Sequence, residues 1–277
     1  MTVRIGVVAP GNRIEPALAT DVSALAFDLY GKRVTLRFHP QCYLSAGHFA
    51  GSDEERARAF LDYANDESLD AIWIARGGYG SARIAAAVCA GLGEAARRKA
   101  YLGYSDAGAL LGALYSRGFS HVFHGPMPAD LLRNNGSEAV KRAISFLVER
   151  DAGALEPSVT RDTVTAAFNM TILSHMIGTP FQPLLDGHVL MLEEVAEHMY
   201  RIDRTMQHIT TADGFARLAG LRLGRCSAIP DNDPVFDGNE EDVARLWCER
   251  AKIPYLGRAD IGHDIANKIV PFGRLSP

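Results

Sequence analysis

A serine set between two different periodicities is the chain's first chemical suggestion. In Lys99–Ala109, reading K-A-Y-L-G-Y-S-D-A-G-A, Ala100–Tyr104 has the apolar run of a short buried strand and Asp106–Leu114 that of a helix. Ser105 falls on the turn between them. A serine there points its hydroxyl out of the sheet, beside the unpaired N–H groups and positive dipole end of the helix. Two uses fit: a nucleophile, or a helix N-cap with Asp106 favouring the same positive end.

A serine hydroxyl becomes nucleophilic beside a base, usually a histidine oriented by a carboxylate. Among the nine histidines, His263 in D-I-G-H-D is the most suggestive, because Gly262 frees the local backbone. Glu193, in V-L-M-L-E-E, closes an apolar strand that would bury it. A buried carboxylate needs a partner, and an imidazole would supply one. Each has a plainer reading: a solvated loop histidine, and a rim ion pair or helix N-terminal charge, which suits the neighbouring Glu194 equally. The order Ser, Glu, His is that of α/β-hydrolases. The loop Gly77-Gly78-Tyr79-Gly80 precedes a helix, so its backbone can cradle a phosphate, aim an N–H at an oxyanion, or simply turn. Its spacing matches neither the dinucleotide fingerprint nor the P-loop, which disfavours a nucleotide. No H-E-x-x-H occurs, and Glu197-His198 with His208 lacks the helical spacing of a zinc pair. His198, Arg201 and Arg204 read as a charged helix face or as holders of a substrate carboxylate; Arg76 and Arg83 carry the same two readings.

The elements that must position these groups alternate. Val3–Ala9 is a near-continuous apolar run, as in a strand covered on both faces. Leu18, Val22, Leu25 and Leu29 recur at helical spacing and Gly31 follows as a stop. Val34, Leu36 and Phe38 alternate as in a strand, and Ser52 with Glu55 makes a capping box ahead of a helix through Tyr63. Ala71–Ala75 reads as another strand, the glycine loop leads to a helix from Ser81, and Phe119–Phe123 reads as a strand. Such β-α repetition predicts a doubly wound parallel sheet with helices on both faces. After the amphipathic helix near Glu138–Arg150, Asp151–Arg161 reads as irregular. The expected division is 1–152, a linker 153–164, and a smaller α+β domain 165–277. Beyond the irregular stretch come Thr163–Phe168, a helix from Asn169, strand His188–Leu192 and a helix around Arg201–Ile209.

Composition bounds the function. The 277 residues are 47% hydrophobic and 22% charged, as in a globular protein with a real core. Lys plus Arg is 29 against 33 Asp plus Glu, a net charge of −4 without blocks of like charge, which disfavours nucleic-acid and membrane-surface partners. Four scattered cysteines and an N-terminus without a basic, long-apolar leader lead to the expectation of a cytoplasmic protein with reduced thiols.

Taken together, these segments resemble the serine L,D-carboxypeptidases, the family of murein tetrapeptide carboxypeptidases and microcin C self-immunity peptidases. The resemblance is carried by F-A-G-S-D-E-E-R at Phe49–Arg56, A-R-G-G-Y-G-S-A-R at Ala75–Arg83, G-Y-S-D at Gly103–Asp106 and H-G-P-M at His124–Met127. It continues through I-G-T-P at Ile177–Pro180, L-E-E-V-A-E at Leu192–Glu197, Y-R-I-D-R at Tyr200–Arg204 and Gly262-His263. It implies an N-terminal α/β domain like that of class I glutamine amidotransferases, a β-rich C-terminal domain, and a site in the cleft between them. Ser105 would attack, His263 would carry the proton and Glu193 would orient His263. The N–H groups of Asp106 and of Gly77 or Gly78 would form the oxyanion hole. Arg201, Arg204 and Tyr79 are the candidates for holding substrate. The resemblance further implies no metal or cofactor, a homodimer, and removal of a terminal D-amino acid from murein tetrapeptide in peptidoglycan recycling. The alternatives are hydrolysis of acyl-sulfamoyl or aminoacyl adenylates, as in microcin C immunity, and a non-catalytic ligand-binding relative. Where the family has G-G-N before I-G-T-P, this chain has A-A-F-N, with Asn169 kept.

Overall fold

A computed structural model describes residues 2–275. The first half runs β1 (Val3–Val8), α1 (Pro16–Tyr30), β2 (Val34–Phe38), α2 (Asp53–Asn65), β3 (Ala71–Ile74), α3 (Ser81–Gly91) and the short α4 (Glu94–Arg97). It continues through β4 (Ala100–Gly103), α5 (Gly108–Ser116), β5 (Val122–His124) and α6 (Ser137–Glu149). The second half holds β6 (Val164–Asn169), α7 (Met170–Met176), β7 (Val189–Val195), α8 (Met199–Thr211), β8 (Gly220–Ser227), α9 (Glu240–Ala251) and β9 (Tyr255–Arg258). Two short strands, β10 (Val270–Pro271) and β11 (Gly273–Arg274), close the described chain.

Strands β1 to β5 form a parallel sheet in the order β5-β4-β3-β1-β2, with β10 added antiparallel beside β5. Alternation along β3 shows why helices cover both faces. Ala71 and Trp73 face a core shared with α1 and α6, whereas Ile72 and Ile74 face α2, α3 and α5. The second sheet has the order β11-β6-β7-β8-β9, with β6 to β9 parallel and β11 antiparallel to β6. The two-domain α/β class is thus as expected. Within the second domain, helices link parallel strands, so its layout is closer to an α/β winding than the α+β reading anticipated.

Consecutive strands β10 and β11 join one sheet each, so the tail stitches the two together. The apolar core on the α5 face of the first sheet also runs on into Phe168 and Leu192 of the second and Met206 of α8. The cleft between the sheets therefore has two sides anchored to one core.

Local differences from the sequence reading have local causes. Phe119 is no strand residue: β5 starts at Val122, and the Phe119 ring is buried from a turn, edge-on to Tyr101 at 5.8 Å. Its apolar character reports core burial rather than extended backbone. The expected helix at Asp106 begins as a single tight turn over Ser105–Ala107 and becomes α-helical at Gly108. Strand β7 runs past Leu192 to Val195. Helix α9, capped by Asn239 and Asp242, carries Trp247. Among the described residues, no helix is long and apolar enough to cross a membrane.

Candidate active site

Ser105 leaves β4 with φ of 60°, a left-handed conformation that costs a non-glycine residue about 1–3 kcal/mol. The turn closes only because its flanks are small: a Cβ on Gly103 would lie 3.0 Å from Ile74 and 3.1 Å from that of Ala107. This is the geometry of a nucleophile elbow. The side chain does not cap a helix; Ser105 Oγ lies 2.9 Å from His263 Nε2. His263 Nδ1 in turn lies 2.5 Å from Glu193 Oε2. Residues far apart in sequence thus form one hydrogen-bonded line across the cleft.

Each member is held by its element. Glu193 is fully buried on β7, beside a register irregularity between β7 and β8. Gly224 provides its room, since a Cβ there would come within 3.0 Å of the Glu193 Cβ. Glu194 points elsewhere. Its carboxylate accepts from Asn169 Nδ2 at 2.6 Å and from the Thr171 backbone N–H and hydroxyl at 3.0 and 2.7 Å, capping α7. The two adjacent glutamates therefore divide the two readings left open by the sequence. The retained Asn169 serves that cap, also accepting from the Ile172 N–H at 3.1 Å.

The His263 loop has no regular structure, and side chains hold it instead. Arg225 pairs with Asp260 at 2.6 Å and with Asp264, while Arg142 of α6 donates to the carbonyls of Ile265 and Asn267, both at 2.9 Å. Asn267 Oδ1 accepts from the Gly262 N–H at 3.2 Å. Burial opposes protonation of His263, but the Glu193 charge and hydrogen bond outweigh it, and the imidazole pKa ends above its usual value.

The glycine loop is tied to the serine turn. The Asp106 carboxylate accepts from the N–H of Ser81 at 2.9 Å and of Gly80 at 3.3 Å, capping α3. Buried Arg56 donates to the Gly80 carbonyl at 2.9 Å and to that of Pro10. Gly78 has φ of 112°, and a Cβ there would lie 2.5 Å from the Asn12 side chain. A Cβ on Gly77 would lie 2.9 Å from the Ser105 Cβ and 3.0 Å from its Oγ. Gly77→Ala is therefore expected to lower kcat/KM by about 100-fold while leaving the thermal midpoint within a few degrees, because displacing a reacting group by an ångström has that scale of effect. Steady-state kinetics beside thermal unfolding reads both; unaltered kinetics would remove Gly77 from the site.

Gly77, Gly78, Ser105 and His263 line one cavity of about 290 Å³, together with Arg76 and Arg133. Arg201 and Arg204 do not reach it. They line a second cavity, with Ser174, His175 and His208, that shares no lining residue with the first. Helix α8 turns them toward the polar side of α7. Tyr79, the third candidate for holding substrate, is half-exposed and packs near Phe49 with ring centroids 5.8 Å apart. Arg133 was missed by sequence reasoning. Its only local signal was the Asp130–Arg133 pair at i,i+3 just after H-G-P-M. Among the described residues, no cluster of three or more His, Cys, Asp or Glu could hold a metal ion.

Known proteins share this geometry's framework. The sequence model of the LD-carboxypeptidase N-terminal domain matches residues 5–125, and that of the LD-carboxypeptidase C-terminal domain matches residues 165–276. The murein tetrapeptide carboxypeptidase of Pseudomonas aeruginosa is 24% identical over 291 residues, covering 98% of this chain and 91% of its own. The crystal structure of muramoyltetrapeptide carboxypeptidase from Oxalobacter formigenes superposes with a TM-score of 0.80 at 24% identity, covering 98% of this chain and 93% of that one. The microcin C7 self-immunity protein MccF, in complex with aspartyl sulfamoyl adenosine, has the same fold, with a TM-score of 0.80 at 16% identity over 99% of this chain and 92% of its own.

Proposed function

The chain belongs to the LD-carboxypeptidase family, and on that premise we propose that it is a serine peptidase that removes the terminal D-amino acid of murein tetrapeptide through an acyl-enzyme. The observation that carries this reading is the line Ser105–His263–Glu193, with its contacts of 2.9 and 2.5 Å. His263 Nε2 takes the Ser105 proton as Oγ attacks the scissile carbonyl, then returns it to the leaving amine. Glu193 fixes the tautomer by accepting from Nδ1–H and stabilises the imidazolium that forms. The N–H groups of Asp106 and of Gly77 or Gly78, on the two loops that Asp106 ties together, would receive the oxyanion. Water then repeats the cycle on the acyl-enzyme.

The alternative, cleavage of an aminoacyl-sulfamoyl nucleoside, asks for an aromatic surface to carry the purine. The aromatic ring of the Ser105 cavity is Tyr104, which is buried and hydrogen-bonded through its hydroxyl to Asp130 at 2.7 Å. That favours the peptide. The test compares D-alanine release from murein tetrapeptide with hydrolysis of aspartyl sulfamoyl adenosine, and adds a fluorophosphonate probe. The peptide is expected to be the better substrate, with the probe attached at Ser105. Preference for the adenosine compound would reverse the substrate assignment, and absence of both turnovers and of labelling would leave a binding protein.

A further inference from the structure

The Ser105 cavity has two unlike sides. Met127, Ala129 and Leu132 supply apolar surface, whereas Arg76 and Arg133 supply positive charge. The two cations are held differently. Arg76 reaches the Arg13 carbonyl at a long 3.4 Å. Arg133 donates through Nε to Asp130 at 2.9 Å and through Nη2 to the Tyr104 hydroxyl at 3.4 Å. Asp130 is itself 3% exposed and receives the Met127 N–H at 2.8 Å and the Tyr104 hydroxyl at 2.7 Å.

A guanidinium has five N–H donors in a rigid fork. Its Nε edge is taken here by Asp130 and Tyr104, which leaves the Nη1–Nη2 edge for a ligand. The side chain remains 40% exposed where it lines the cavity. The Tyr104 ring lies 5.0 Å from the His263 ring, so the same tyrosine that steadies the guanidinium packs beside the proposed base. The Arg133 charge is also close enough to oppose protonation of His263. A planar, anchored fork is suited to a carboxylate, which it grips with two parallel hydrogen bonds.

Building on the hydrolase reading above, we propose that Arg133 forms the subsite for the free α-carboxylate of the terminal residue, with Met127, Ala129 and Leu132 receiving a small apolar side chain. Gripping the chain end there makes the enzyme an exopeptidase: the bond presented to Ser105 is the last amide, and a peptide lacking a free carboxylate loses the fork. Arg133 is thereby a specificity-determining residue rather than a participant in proton transfer.

The experiment compares a tetrapeptide ending in D-alanine with the same peptide carrying a C-terminal amide, using wild type, Arg133→Gln and Arg133→Lys. Wild type is expected to favour the free acid. Arg133→Gln should lose about 100-fold in kcat/KM on the acid, chiefly through KM, and the discrimination between acid and amide should collapse. Arg133→Lys keeps the charge without the fork and should lose about 10-fold. Labelling of Ser105 by a fluorophosphonate verifies that each variant is folded. Should Arg133→Gln fail that check, the acid-to-amide ratio of Arg133→Lys decides in its place. A labelled variant that still prefers the acid as strongly as wild type overturns the subsite. A wild type that cleaves neither peptide and takes no probe defeats the hydrolase reading instead, and the subsite with it.

Discussion

Alanine at position 105 is expected to lower turnover of a D-alanine-terminated murein peptide by on the order of a million-fold, the scale seen when a triad nucleophile is removed. The loss should appear in kcat, because attack on the carbonyl is replaced by unassisted water. Folding should persist. The φ of 60° at this turn is set by β4, Gly103 and Ala107, none of which needs the hydroxyl. Glycine at the same position should go further, losing the same activity yet stabilising the fold by about 1 kcal/mol, since it adopts left-handed backbone without the Cβ penalty. D-alanine release and urea unfolding of both variants measure the two effects. Turnover of Ser105→Ala within ten-fold of wild type would remove Ser105 as nucleophile.

The second large effect concerns Glu193. Glu193→Gln keeps the shape of the side chain but removes the charge that favours imidazolium, and kcat should fall by about 10⁴, as when a triad carboxylate becomes an amide. The pH profile should move as well. As the proposed base, His263 would work in its neutral form, so wild-type kcat/KM should fall as pH drops through the raised His263 pKa, placing the acid limb above pH 6.5. Without the Glu193 charge and hydrogen bond, burial and the nearby Arg133 oppose protonation, and the Glu194 charge alone still favours it. The acid limb of the variant should therefore shift to lower pH while its plateau falls. A limb that stays in place would mean that another group sets it. The Glu194→Gln control is expected to change kcat little, because that carboxylate caps α7 instead.

Much of the fold and of the candidate site was legible along the chain because it is written in local rules. Buried strands read as apolar runs, the capping box of Ser52 and Glu55 forms as its spacing requires, and the Ser105 turn follows from a strand pattern meeting a helical one. The order of short motifs pointed to the family, and with it to Ser105, Glu193 and His263. Other features were out of reach because they depend on partners distant in sequence. Nothing local distinguishes Glu193 from Glu194; the β7–β8 register and the space above Gly224 turn one toward His263 and leave the other to α7. Helical spacing put Arg201 and Arg204 on one charged face, and only the packing of α8 against α7 separates that face from the Ser105 cavity.

By itself, then, the order of amino acids determined which side chains carry reactive groups, where strands give way to helices, and the α/β class, since backbone preference and hydrophobic periodicity act over a few residues. Tertiary structure decided which groups meet. The tail strands β10 and β11 join the two sheets, Arg225 and Arg142 hold an irregular loop, and an arginine absent from the sequence-level candidates enters the cavity. A hydrogen bond needs its partners within about 3 Å, and for residues as far apart along the chain as Ser105 and His263 that condition is met only when the whole core has packed.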